Sequence, residues 1–157
     1  MKKKFIIAIA IIAFCLVATI GACVYAIAPL QNLKPSDYNI GISYQDEMKT
    51  DKPAVVLFYA NWCTYCKHFM PEYKLLSELY SKDFNFVMVD IDAPEYQKIV
   101  KDYSVASLPS MYIVDPAIDN RVLINNALYS NLFAVRVEIE RYIRIRKLIN
   151  IPTKDKK

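Results

Sequence analysis

Two cysteines separated by two residues, Cys63 and Cys66, are the side chains of this sequence best suited to chemistry. They follow an apolar run and precede an amphipathic one, which predicts a strand-to-helix junction. The free N–H groups and positive dipole end of a helix stabilise a thiolate at its N-terminus. Cys66, one turn further in, is expected to be less exposed. The spacing therefore predicts a redox dithiol in which Cys63 attacks a substrate disulfide and Cys66 resolves the mixed disulfide.

A zinc half-site is the alternative use of such a pair, but it needs two further Cys or His ligands. His68 is the single histidine and lies too close in sequence to Cys66 to complete a tetrahedral site; we interpret it as a solvated helix residue. Cys15 and Cys23 lie in the apolar N-terminal stretch, so the chain is no cysteine-dense disulfide scaffold. We predict no metal site and no cofactor.

The elements around the dithiol form a strand–helix–strand series. Residues 54–60 are a continuous apolar run, typical of a buried central strand. Apolar residues at spacings of three and four over residues 66–80 predict an amphipathic helix, which Pro71 should kink. Residues 84–91 predict a second strand and residues 94–103 a short helix. This order implies a right-handed crossover and a parallel pair of strands.

The remaining segments predict a hairpin and a last helix. Residues 111–114 and 121–124 are two strand-like runs, joined by a loop short enough for an antiparallel hairpin. Residues 135–140 alternate like a strand, yet they also belong to a helical stripe that begins at Leu132, and a length of about 18 residues favours helix. The predicted fold class is α/β, with a central mixed sheet flanked by helices.

The N-terminus predicts a membrane anchor. Phe5 to Ala28 is a run of 24 residues without a charge. At about 1.5 Å per residue it reaches about 36 Å, more than the roughly 30 Å of a hydrocarbon core. Lysines precede the run and none directly follows it, which favours a cytoplasmic tip and a domain on the far side of the membrane. We interpret the run as one transmembrane helix, within which Cys15 is a small apolar residue.

Two other interpretations of this segment remain open. The sequence Ile-Gly-Ala-Cys ending at Cys23 resembles the lipobox of bacterial lipoproteins, in which the cysteine is lipidated and becomes the new N-terminus. An ordinary cleaved signal would have a shorter apolar region, commonly about 7 to 15 residues. All three interpretations place the domain in an extracytoplasmic compartment, either the periplasm or the outer surface.

The chain divides into five predicted parts. They are a tip at 1–4, an anchor or lipoprotein-type signal at 5–28, a linker at 29–50, a domain at 51–150 and a flexible tail at 151–157. The formal charge is +4, of which three charges come from the lysines of the tip. The balance left for the domain is not that of a nucleic-acid-binding protein.

Several separate motifs together resemble the thioredoxin superfamily. They are Trp-Cys-Thr-Tyr-Cys-Lys at residues 62–67 after an apolar strand, Pro71 in the following helix, and Leu108-Pro109 just before a strand. The resemblance covers about residues 50–150 and implies a thioredoxin-like fold. It also implies that Pro109 is a cis-proline facing the dithiol, with Leu108 offering backbone groups to an extended substrate segment and Trp62 beside them as a substrate-binding residue. From the residues alone, Leu108-Pro109 predicts only a turn or strand entry.

The sequence also departs from the superfamily pattern. Cytoplasmic-type thioredoxins carry a buried aspartate in the strand before the active site and a lysine in the next strand, and spacing puts Leu57 and Met88 at these positions. Proton transfer must then use water or another group. Thr64-Tyr65 replaces the Gly-Pro of thioredoxin and contains no histidine or charge that would strongly stabilise the Cys63 thiolate. This favours a reductant or isomerase over a strong oxidant.

The sequence thus predicts a membrane-anchored thiol–disulfide oxidoreductase that acts on extracytoplasmic proteins. Its expected partners are protein thiols or disulfides, a redox partner and the membrane, without nucleic acid. The alternative is a non-catalytic thioredoxin-like module that binds a partner while its dithiol stays idle. The intact Trp-Cys-x-x-Cys motif argues against this alternative.

Overall fold

The computed structural model describes residues 2–27 and 33–149, and the chain divides into two compact units after Leu33. The first unit contains helix α1, Lys2–Ile27. No helix within these two ranges is both long and apolar enough to cross a membrane. The predicted transmembrane helix is not supported by this finding and stays a prediction; its last residue, Ala28, lies outside the described residues, as does the predicted tail.

A four-stranded mixed sheet forms the centre of the second unit. Its strands are β1 (Ala54–Tyr59), β2 (Asn85–Asp90), β3 (Ser110–Asp115) and β4 (Asn120–Ile124), in the order β2-β1-β3-β4. β1 runs parallel to β2 and antiparallel to β3, and β3 pairs antiparallel with β4. The predicted parallel pair and hairpin are thereby confirmed.

Four helices accompany the sheet, with short 3-10 turns between elements. They are α2 (Tyr44–Glu47), α3 (Thr64–Tyr80), α4 (Gln97–Asp102) and α5 (Leu132–Leu148). α3 continues through Pro71 to Tyr80. α5 resolves the ambiguous last segment as a helix: Asn131 Oδ1 caps it by accepting hydrogen bonds from the N–H groups of Phe133 and Ala134 at 3.1 and 3.3 Å.

β1 is buried on both faces, which explains its unbroken apolar sequence. Successive side chains point to opposite faces, so β1 contributes to two cores. Val55 and Leu57 belong to the core that holds the buried sides of α3 and α5. Val56 and Phe58 belong to the core on the other face, which includes Tyr103. The strand that leads to the dithiol is therefore held on both sides.

The Tyr73 hydroxyl fastens α3 to the parallel strands β1 and β2. The fully buried oxygen lies 2.8 Å from the carbonyl oxygen of Val55 and 2.9 Å from that of Val87, and it accepts a hydrogen bond from the Val87 N–H at 3.2 Å. Burial raises the pKa of Tyr73 far above its ordinary value, so the hydroxyl keeps its proton.

Part of the predicted linker is folded onto the domain. Ile42 N–H donates to the carbonyl of Phe86 in β2 at 2.9 Å, and Gly41 adopts φ +81° beside it. A Cβ at Gly41 would overlap that carbonyl, so this position needs glycine. Glu47 is fully buried and accepts a hydrogen bond from Asn85 Nδ2 at 2.7 Å. In the sequence, residues 38–44 hint at a short strand, but this pattern does not identify the strand on which the segment packs.

A buried ion pair fixes the end of α5. Arg146 Nε donates to Asp115 Oδ2 at 2.6 Å, and Arg146 Nη2 donates to the backbone oxygen of Asp51 at 2.9 Å. The Tyr142 hydroxyl also donates to Asp115 at 3.1 Å. Burial, followed by the charge of Asp115, raises the pKa of Tyr142 to about 12. α5 is thus tied to the far end of β3 and to the residues that lead into β1.

We expect Arg146→Met to lower the free energy of unfolding by about 3–5 kcal/mol, because it leaves the Asp115 carboxylate buried and unpaired. Urea unfolding of the full chain measures the change. The double variant Asp115→Asn/Arg146→Met should recover much of the loss. Arg144→Met removes an exposed cation from the same helix and serves as the control. Equal losses from the Arg146 and Arg144 variants would contradict the role of the pair.

Candidate active site

Cys63 and Cys66 form a disulfide at the start of α3. Cys63 is the N-cap residue of the helix, and its sulfur accepts a hydrogen bond from the Cys66 N–H at 3.1 Å. Cys66 is fully buried, whereas Cys63 is 5% exposed. The two cysteines therefore lie where the sequence placed them, with Cys66 the less exposed. Their roles as nucleophile and resolving residue stay predictions.

The loop between β1 and α3 delivers Cys63 to the helix end. β1 ends at Tyr59, and the Cys63 N–H donates to the carbonyl of Ala60 at 3.1 Å. On the helix side, the Lys67 N–H donates to the Cys63 carbonyl at 3.1 Å, which is the first hydrogen bond of the helical pattern. The backbone around the dithiol is thus hydrogen-bonded on both sides, so the position of Cys63 follows from the strand and the helix together.

The disulfide belongs to a small apolar cluster. Tyr59 and Ala60 pack with the two cysteines, and Met88, Ile91 and Leu108 lie partly buried against this cluster. Leu57 and Met88, which spacing places at the positions of the aspartate and lysine of cytoplasmic-type thioredoxins, carry no charge.

Those two positions are neighbours across the sheet. Leu57 in β1 pairs with Met88 in β2 in the parallel register, and Leu57 is fully buried. The Met88 sulfur accepts a hydrogen bond from the Ile40 N–H at 3.5 Å, so the linker segment covers it. An apolar pair therefore occupies the positions at which an aspartate and a lysine would transfer protons.

The peptide bond between Leu108 and Pro109 is cis, as the resemblance implied. Leu108 packs against the dithiol cluster, which brings this loop beside the cysteines. Side chains hold the loop: Ser110 Oγ donates to the carbonyl of Ser107 at 2.6 Å, and Asn126 Nδ2 donates to Ser107 Oγ at 3.4 Å. The substrate-binding roles of Leu108 and Pro109 stay predictions.

Trp62 is 66% exposed beside Cys63, and its indole nitrogen is fixed. Trp62 Nε1 donates to Asp92 Oδ2 at 2.7 Å, and the Asp92 N–H donates in turn to Asp90 Oδ1 at 3.0 Å. Sequence reasoning missed Asp92, although an acidic residue just past the predicted second strand was a usable signal. The exposed ring is available to a partner, while its substrate-binding role stays a prediction.

Asn61 connects three segments of the active-site end. Its side-chain oxygen accepts from the Ser36 N–H at 3.1 Å, and its Nδ2 donates to Asp90 Oδ2 at 3.2 Å. Burial, followed by the charge of Asp90, raises the pKa of Tyr59 to about 12. Sequence analysis missed Asn61, because its partners lie 25 and 29 residues away.

Two grooves flank the dithiol. The dithiol groove, of about 480 Å³, reaches Cys63 and is lined by residues 62–65, Ile91 and residues 105–108. The side groove, of about 580 Å³, lies between α3, the cis-proline loop and residues 126–130. Tyr65 and Leu108 line both grooves. The two grooves therefore meet at these residues.

The side groove has an aromatic wall and is also lined by a histidine and a glutamate of α3. Phe69 stacks on Tyr129 with ring centroids 4.8 Å apart. His68 is exposed at this groove, in line with its interpretation as a solvated residue, and Glu72 lies one turn further along α3. Within residues 2–27 and 33–149, no group of three or more Cys, His, Asp or Glu side chains is placed to hold a metal ion.

Comparison with known proteins agrees with this geometry. The thioredoxin family model matches residues 38–127. The chloroplastic thioredoxin-like protein HCF164 of Arabidopsis thaliana is 28% identical over 104 residues, which cover 60% of this chain and 40% of that protein. The protein disulfide isomerase-like 2-1 of Oryza sativa subsp. japonica is 35% identical over 60 residues, covering 38% of this chain and 16% of that protein. This chain thus matches 40% or less of the length of these curated relatives.

A solved structure supports the same assignment. The oxidised form of mitochondrial thioredoxin 3 from Saccharomyces cerevisiae superposes with a TM-score of 0.51 at 27% identity, covering 62% of this chain and 86% of that one. The family match covers more than half of the chain and includes the dithiol, the cis-proline and the mixed sheet. The chain therefore belongs to the thioredoxin family.

Proposed function

We propose that this protein is a thiol–disulfide oxidoreductase that exchanges disulfides with protein substrates. The observation that carries the proposal is the Cys63–Cys66 disulfide at the N-terminus of α3, with the dithiol groove leading to Cys63. Exposed Trp62 and the cis-proline loop line the approach, which suits an extended protein segment. The relatives named as a thioredoxin and a disulfide isomerase fit the same chemistry.

Reduction of a substrate takes two exchange steps. The Cys63 thiolate attacks one substrate sulfur; a bond from Cys63 to that sulfur forms as the substrate disulfide breaks, and the departing substrate thiolate takes up a proton. The Cys66 thiolate then attacks the Cys63 sulfur, which releases the second substrate thiol and forms the Cys63–Cys66 disulfide. Two electrons pass from the dithiol to the substrate. A dithiol partner protein must return them, and the reverse sequence oxidises a substrate.

The second step requires Cys66 to lose its proton. Leu57 and Met88 offer no acid or base at the positions nearest to the family's usual pair. The dithiol groove opens beside Cys63, so water entering it is the proton acceptor that we propose.

We further propose that the protein works as a reductant or isomerase on extracytoplasmic proteins. Thr64 and Tyr65 stand between the cysteines, and neither adds positive charge to the Cys63 sulfur. A thiolate without such support is less stabilised, and the reduced form is then less favoured than in strong oxidants.

The N-terminal sequence supports the proposed location of the domain. Phe5 to Ala28 carries no charge and follows three lysines, so we propose that it anchors the domain beyond the membrane, with residues 1–4 in the cytoplasm. Lipidation at Cys23 is the alternative form of attachment.

Cys63→Ser should abolish turnover of a protein disulfide, because no sulfur remains to attack it. Cys66→Ser should instead accumulate mixed disulfides, visible as reductant-sensitive adducts on non-reducing gels. Cys15→Ser, which removes a free thiol outside the domain, is the control and should keep full activity. Undiminished turnover in the Cys63 variant would contradict the proposed function. Partner binding that is unchanged in both Cys63→Ser and Cys66→Ser would favour the non-catalytic module.

The reduction potential of the dithiol should lie nearer to the thioredoxin value of about −270 mV than to the strong-oxidant value of about −120 mV. Equilibration against a series of dithiothreitol or glutathione ratios measures it. Tyr65→His should make the potential less negative, because an imidazolium beside Cys63 stabilises the thiolate. A wild-type value near that of the strong oxidants would overturn the proposed direction.

The full chain should stay with the membrane pellet through alkaline carbonate extraction, since a charge-free run of this length is retained by hydrocarbon. A C-terminal reporter should be active outside the cytoplasm of a bacterial host. Cys23→Ala separates the two modes of attachment by the mass of the chain: an anchored chain keeps its length, whereas a lipidated chain, which begins at Cys23, becomes longer because residues 1–22 are no longer removed. A reporter active in the cytoplasm would contradict the proposed side.

A further inference from the structure

We infer that the side groove is a specificity site that takes a lysine or arginine side chain of the protein substrate, and that Glu72 is the residue that recognises it. The inference rests on the proposed function and names the class of substrate segment that the dithiol prefers.

The side groove adjoins the dithiol groove, which reaches the reacting sulfur. Tyr65 and Leu108 line both this groove and the dithiol groove that reaches Cys63. An extended segment whose cysteine is bonded to Cys63 therefore continues past these two residues into the side groove. With a rise of about 3.3 Å per residue, neighbours of the substrate cysteine are close enough to place a side chain there.

Glu72 brings a carboxylate to the lining of the side groove. Tyr65, His68 and Glu72 follow one another at spacings of three and four along α3, so they share the helix face that borders the side groove. The Oε2 atom of Glu72 is buried, and no donor among the described residues hydrogen-bonds to it. Glu72 also belongs to none of the ion pairs formed within this part of the chain.

An unpaired buried carboxylate oxygen is unfavourable, because it has lost water without gaining a donor. Glu72 as a whole is half-buried and lines the side groove, so a substrate that supplies N–H donors there meets its carboxylate, and a turn of the side chain brings Oε2 into the contact. The gain is largest when the donor is charged, because charge-assisted hydrogen bonds are the stronger class.

The side groove also has an apolar lining. Phe69, Tyr129 and Pro109 provide apolar surface in the same lining as Glu72. Lysine and arginine pack their methylene stems on such a surface while the cationic end meets a carboxylate. A small polar residue lacks this stem, and an acidic residue is repelled by Glu72. The combination of an apolar passage and a carboxylate therefore selects a long basic side chain.

Peptides with a single cysteine in a mixed disulfide with thionitrobenzoate test the inference, because reduction releases a coloured thiol. Matched peptides carry lysine, its neutral isostere norleucine, or glutamate at each position next to the cysteine in turn. With the reduced full chain, we expect the lysine peptide to react about 5- to 10-fold faster than the norleucine peptide at one position. The glutamate peptide should be the slowest there.

Glu72→Gln should bring the ratio of the lysine and norleucine rates to about one, and Glu72→Lys should reverse the preference towards glutamate. The reversal guards against a misfolded variant, which could not gain a new preference. Glu78→Gln removes an exposed carboxylate elsewhere on α3 and should keep the original ratio.

The outcomes separate the two proposals. Equal rates for lysine and norleucine in the unmodified protein, or a preference that survives in Glu72→Gln, overturn this inference and leave the proposed function standing. Failure of every peptide to react with the reduced protein overturns the proposed function, and the specificity site falls with it.

Discussion

The attachment of α3 to the centre of the sheet is the constraint on which the site depends. Tyr73 provides it with one buried hydroxyl, which contacts the carbonyl oxygens of Val55 and Val87 and accepts a hydrogen bond from the Val87 N–H. A hydroxyl buried in an apolar core without partners would cost free energy, so the helix is stable only where these backbone groups meet it. The start of α3, with Cys63 as its N-cap and Cys66 in its first turn, is fixed as a consequence.

Charge is distributed around the dithiol rather than beneath it. Apolar residues pack against the disulfide, and the register pairs Leu57 with Met88 at the positions where spacing placed the charged pair of cytoplasmic-type thioredoxins. Polar contacts lie on the rim, where Asp92 holds the Trp62 ring and Asp90 holds Asn61. In the proposed function, the helix end and water set the reactivity of the sulfurs, while the grooves beside them set the choice of substrate.

The second unit is closed by a buried charge pair at the opposite end of the sheet. Asp115 and Arg146 have side chains that are 0% and 10% exposed, and Arg146 also reaches the backbone of Asp51. This pair joins the end of β3 to α5 and to the start of the domain. Because α5 packs on the same face of the sheet as α3, the pair supports the core under the active-site helix.

The sequence by itself determined the elements and the chemistry, because both depend on local pattern. The apolar run of β1, the helical stripe of α3 and the spacing of Cys63 and Cys66 are readable without any distant contact. The mixed sheet followed from the order of elements, since a strand–helix–strand crossover and a short hairpin permit few arrangements.

Only the tertiary structure decided which polar groups serve the site. Asn61 meets Ser36 and Asp90, and Glu72 is left without a donor in the described part of the chain, through packing between segments far apart in sequence. Local periodicity carries no information about such partners. Residues 38–44 hinted at a short strand in the predicted linker, but its partner β2 was not readable, because the hydrogen bond from Ile42 to Phe86 and the fit of Gly41 exist only once the sheet has formed.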